Sequence, residues 1–142
     1  MTANLYVETS ALLRVVLEGD ENLRPLLLGE GRFTSALTFA EASRAVLRAR
    51  REGRLDARGA REANKRIAEF GRSCETVALE ESVLERAGQE FPAEPVRTLD
   101  AIHLATILVL DAAGIDIEVA SCDLRVRENA EALGFRLLPS TN

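Results

Sequence analysis

Short runs of strand-forming residues alternate along this chain with longer runs of helical period, and that alternation restricts the fold more than any other feature. Strands are expected at 4–8 (NLYVE), 32–35 (RFTS), 75–79 (ETVAL), 117–121 (IEVAS) and 135–138 (FRLL). Helices are expected over 9–18, 22–29, 37–52, 56–72, 80–91, 98–113 and 124–133. Strands separated by helices need crossover connections, and crossovers build a mostly parallel sheet with helices on both faces. Two helices show their ends. Thr98 is placed to cap LDAIHLATILVLDAA, which stops at Gly114, and Asp123 to cap LRVRENAEAL, which stops at Gly134. The first is apolar nearly all round from Ile102 to Leu110, as a helix buried on every side must be.

No repeat, low-complexity segment or linker divides the 142 residues, and 46% of them are hydrophobic, so one domain over 1–142 is expected to bury a core of its own. No apolar run approaches the roughly 18 to 20 residues that span a bilayer, so no membrane association is expected. The N-terminus has no basic stretch leading into an apolar run, which argues against a signal peptide. Cys74 and Cys122 belong to no CxxC pattern and suit two free thiols in a reducing cytoplasm. The net charge of −5 is unevenly spread: residues 44–72 hold ten basic and four acidic side chains, leaving that stretch at +6 and the remainder at −11. Its expected form is a helical hairpin turning near Gly53, a basic arm on an acidic body.

The acidic body has a pattern. In an open parallel sheet, ligands bind beyond the carboxyl ends of the strands, where the strand order reverses. Glu8 closes the first expected strand, Asp123 lies two residues beyond the fourth, and Asp100 sits in the first turn of the buried helix. If the first and fourth strands are neighbours, the three carboxylates meet on one edge. Such a cluster repels itself unless a cation fills its centre, and hard ions such as Mg²⁺ or Mn²⁺ take oxygen ligands. Each acid also has a plainer role: Asp123 as an N-cap, Asp100 as a complement to the helix dipole, Glu8 as an exposed strand end.

Four segments, YVETSALLR, TFAEASRAVLRA, RTLDAIHLATILVL and VASCDLRVRENAEALGF, resemble in that order the PIN domain, and most closely its VapC-type toxins from toxin–antitoxin pairs. The likeness runs from Leu5 to Leu138, with TLDAIHLAT and SCDLRV its most specific parts. It implies a three-layer α/β/α sandwich around the parallel sheet. It also implies a metal-dependent endoribonuclease with Glu8, Glu41, Asp100 and Asp123 in one pocket. Glu8, Asp100 and Asp123 would hold Mg²⁺ or Mn²⁺, Glu41 would help with a second ion or the attacking water, and Ser10 and Ser121 would orient the site. RNA as substrate, a cognate antitoxin and a homodimer are implied as well. One departure falls at the site itself, since the family's first motif carries Asp where this chain has Glu8. The added methylene moves the oxygens by about 1.3 to 1.5 Å, and about 1 Å of misplacement can cost about 10²-fold in rate. The alternative is therefore a PIN-like binding and dimerisation module whose nuclease activity is weak or lost.

Phe39, Ala42, Val46 and Ala49 form one stripe of their helix, and Glu41 lies off it beside Arg44 and Arg48. Periodicity favours a solvated ion pair there, whereas the resemblance places Glu41 in the pocket and offers Arg44 and Arg48 to RNA phosphate. His103, one turn after Asp100, reads as a packed, hydrogen-bonded histidine, and Cys122 as packing, because a hard cation has no use for a thiolate. One tyrosine and no tryptophan leave an RNA grip to charge rather than stacking. A phosphoacceptor receiver would need a lysine at the end of its last strand, and the only lysine is Lys65, in the basic arm.

Overall fold

The structure is a computed structural model describing residues 4–140. The outermost three N-terminal and two C-terminal residues of the expected domain lie outside that range. Five strands, β1 (Asn4–Val7), β2 (Arg32–Ser35), β3 (Glu75–Val77), β4 (Ile117–Ala120) and β5 (Leu137–Leu138), pair in the order β3-β2-β1-β4-β5. All four pairings are parallel. Seven helices connect them among the described residues: α1 (Thr9–Val16), α2 (Arg24–Leu27), α3 (Ala36–Arg51), α4 (Ala57–Ser73), α5 (Glu81–Ala87), α6 (Thr98–Ala112) and α7 (Leu124–Ala132). The expected three-layer α/β/α sandwich is what the chain adopts.

The two-residue period of β1 assigns the layers. Leu5 and Val7 face a core built with Leu12, Val15, Val46, Ile67 and Phe70 from α1, α3 and α4. Tyr6 points the other way, into a core with Leu104 and Ile107 of α6 and Val126 of α7. A central strand buried on both faces has to be apolar at successive positions, and LYV is. Helix α6 is buried continuously from Ala101 to Ile107. Each fully buried large apolar side chain there is worth about 1.5 to 3 kcal/mol. Among the described residues no helix is long and apolar enough to cross a membrane.

Because β1 pairs with β2 on one edge and β4 on the other, the strand order reverses between β1 and β4, and that crevice is where ligands bind in such sheets. Several boundaries differ from expectation for local reasons. Glu8 is not the end of β1; its φ of −81° and ψ of 151° make it the N-cap of α1. Arg97, not Thr98, is the N-cap of α6, and no side-chain cap bond forms there. The third strand stops at Val77, since it is an exposed edge paired with β2 alone. The fifth keeps only two of its four expected residues, those opposite Val119 and Ala120. The helix expected over 22–29 starts at Arg24, with Asp20 accepting from the amides of Asn22 and Leu23 in the turn before it. The helix expected to run to residue 91 ends at Ala87, before Gly88. The α3–α4 hairpin turns at Gly53, whose φ of +78° suits a residue without a Cβ.

Candidate active site

At the crevice, Glu8 is nearly fully buried and its carboxylate is fully engaged. Oε2 accepts the Ser10 amide at 3.0 Å, while Oε1 accepts the hydroxyls of Ser10 and of Ser121, the latter at 2.6 Å. The same hydroxyls reach onward: Ser10 Oγ accepts the Cys122 amide at 2.8 Å, and Ser121 Oγ accepts the Asp123 amide at 3.1 Å. Glu8 thus fastens the end of β1 to the end of β4. A carboxylate can sit there because three donors replace its water.

Asp123 caps α7, its Oδ1 accepting the amides of Arg125 and Val126 at 2.9 and 3.0 Å. Its Oδ2 has no partner among the described residues. The side chain of Asp100, in the first turn of α6, makes no hydrogen bond or ion pair with any described residue. Its carboxyl is pushed up to about 6, by burial first and then by the charges of Asp123 and Glu8, with Glu41 adding to them and His103 opposing.

Glu41 is half-buried on α3. Its Oε1 accepts the Thr9 hydroxyl and pairs with His103 Nε2, both at 2.6 Å, and Oε2 has no described partner. Burial raises its carboxyl, but the bonds from His103 and Thr9 and the histidine's charge outweigh that and hold it below the usual range. The solvated pair with Arg44 or Arg48 favoured by periodicity does not form. His103 is wholly buried, as a packed histidine would be, and its Nδ1 lies 2.6 Å from the Tyr6 hydroxyl. Sequence reasoning missed that His103 and Thr9 together hold Glu41. The available signals were the step of one helical turn from Asp100 to His103, and the hydroxyl of Thr9 directly after Glu8.

Glu8, Glu41, Asp100 and Asp123 line one cavity of about 500 Å³, along with Arg44 and Arg48. As placed, no three His, Cys, Asp or Glu among the described residues form a ready-made ligand group. Glu8 is turned onto its serines and Asp123 Oδ1 onto α7. The donor chemistry nevertheless suits a hard cation. Every candidate ligand is a carboxylate, the Asp100 side chain lacks a partner, and burial and then neighbouring acids disfavour its ionisation, which a divalent ion would favour.

A family model for the PIN domain matches residues 5–132. Ribonuclease VapC46 of Mycobacterium tuberculosis is 33% identical over 140 residues, covering 96% of this chain and 97% of that protein. Among solved structures, a toxin–antitoxin complex from Klebsiella pneumoniae matches with a TM-score of 0.65 at 15% identity, over 99% of this chain and 100% of that one. VapC20 of Mycobacterium tuberculosis, a toxin that cleaves the sarcin–ricin loop, matches with a TM-score of 0.63 at 18% identity, over 93% and 96%. At such identities these two structures establish the fold alone.

Proposed function

The chain belongs to the PIN domain family, and from that premise we propose that it is the ribonuclease toxin of a toxin–antitoxin pair, cutting RNA phosphodiesters internally. The observation that carries this reading is the meeting of Glu8, Glu41, Asp100 and Asp123, from four distant segments, around one cavity at the β1/β4 crevice. Dependence on a divalent metal is general in the family, and the all-carboxylate set favours Mg²⁺ or Mn²⁺. Glu8, Asp100 and Asp123 are the residues that would hold it. When bound, such an ion stabilises charge on the phosphodiester oxygens and acidifies a coordinated water.

The chain's own groups do the rest. Ser10 and Ser121 fix the Glu8 carboxylate. Thr9 and His103 hold Glu41 ionised by Oε1, which leaves Oε2 to accept a proton from water. Arg44 and Arg48, exposed on α3 at the cavity wall, supply charge for RNA phosphate. An antitoxin that covers this cavity, and a homodimer of the toxin, complete the proposal.

A second reading follows from Glu8 being turned back onto its serines: a binding module that no longer cleaves. RNA cleavage with Mg²⁺ or Mn²⁺ by the parent, Asp100→Asn and Glu8→Asp decides between them. Cutting by the parent that is lost in Asp100→Asn supports the nuclease. A parent that cuts nothing, beside a Glu8→Asp variant that cuts, supports the module.

A further inference from the structure

Asp100 and Asp123 each border two cavities. One carries Arg44 and Arg48; the other, of about 860 Å³, shares the same two carboxylates and carries Arg97, Arg125 and Glu128. We infer that Arg97 and Arg125 form a second phosphate-binding limb, so that a single RNA strand crosses the acids and is held on both sides of the bond to be cut. This inference rests on the nuclease reading above and extends it to the path of the substrate.

Arg97 is the more telling of the pair. It occupies the N-cap of α6, where Ser, Thr, Asp or Asn would bond the exposed amides, and it makes no cap bond. A cation there also opposes the helix dipole. Arg97 is exposed and forms no ion pair with Asp100, Asp123 or any other described residue. A position that breaks a local rule without a compensating contact, on a cavity shared with a candidate catalytic acid, points to a ligand. Arg125 leans on its surroundings only through Nη1, 3.3 Å from Glu128 and 3.5 Å from the Ala93 carbonyl, and its side chain is 40% exposed.

Electrostatics favour the same path. A strand entering from the α3 side alone would meet four carboxylates with cations on one flank only, in a protein of net charge −5. Cations on both flanks let phosphates on either side of the cut offset that repulsion.

Binding of a fluorescent 12-nucleotide single-stranded RNA is measured with Mg²⁺ at several salt concentrations in the Asp100→Asn background, while cleavage is followed in the parent. Arg97→Gln/Arg125→Gln is expected to weaken binding severalfold and to flatten the salt dependence by about 0.7 per lost phosphate contact. Arg97→Ser supplies the missing cap and should raise Tm by about 2 to 4 °C while still weakening RNA binding. Those opposite signs are what a purely structural arginine does not give. Unchanged affinity and slope in Arg97→Gln/Arg125→Gln, with both reduced in Arg44→Ala/Arg48→Ala, overturns the second limb and leaves the nuclease standing. Loss of a co-purifying protein partner with RNA affinity intact overturns it in favour of a protein contact. A parent that cuts no RNA with either metal removes the nuclease reading itself, and the limb with it.

Discussion

At the scale of single residues, the site sets three carboxylates held by hydrogen bonds against one that has none. Asp100 is the unsatisfied one, and its shift has a definite sign. Unfolded, it releases its proton near 3.8; folded and metal-free, it holds it to about 6. Between those values the folded state binds more protons, so stability falls as pH rises through the window, and the penalty is complete above it. In EDTA, Asp100→Asn should therefore melt higher than the parent above pH 6, with the difference vanishing towards pH 4. Added Mg²⁺ or Mn²⁺ should raise the Tm of the parent and leave Asp100→Asn nearly unmoved; equal shifts in both would exclude Asp100 as a ligand. Ser121 tests the satisfied side. Its hydroxyl donates to Glu8 and accepts from the Asp123 amide, so Ser121→Ala removes one of three donors to a buried carboxylate and the side-chain acceptor of that amide, and should lower unfolding free energy by about 1 to 3 kcal/mol, read by urea denaturation.

Between elements, the decisive contact is the one that joins β1, α6 and α3 through Tyr6, His103 and Glu41. Tyr6→Phe keeps the ring and removes only the hydroxyl that meets His103 Nδ1. We expect about 1 to 3 kcal/mol of lost stability and a lower RNA cleavage rate with unchanged RNA affinity, since Glu41 loses its fixed position while the arginines stay. Single-turnover cleavage beside RNA titration checks this. The sequence made the elements legible because burial imposes period: LYV announces a central strand, and the run from Ile102 to Leu110 a buried helix. Asp123 was legible as a cap because aspartate is a common one. Glu8 was not, since a glutamate reaching back to Ser10 and across to Ser121 is an uncommon cap. Capping preference points to Thr98 rather than Arg97, and nothing local says why a worse residue stands one position earlier. Glu41's partners lie 32 and 62 residues away. Periodicity, which sees only one helix at a time, assigned it to solvent.

For the molecule as a whole, charge and topology set behaviour. Arg44 and Arg48 stand on the basic hairpin that carries +6 against an acidic remainder, and replacing both with Ala should reduce the salt slope of RNA binding by about 0.7 per lost phosphate contact. An unchanged slope would return them to a solvated face. Topology has a consequence in time. β1 is made first but lies at the centre of the sheet, and one of its edges waits for residues 117–120. Parallel pairings across such a span form late, and a chain leaves the ribosome N-terminus first. During synthesis, Glu8 and Glu41 emerge long before Asp123 can be seated beside them. A chain that has not reached residue 117 lacks both β4 and Asp123, so a fragment ending at residue 116 should cut no RNA. On the nuclease reading, activity starts when β4 docks against β1, not when the first acids are made.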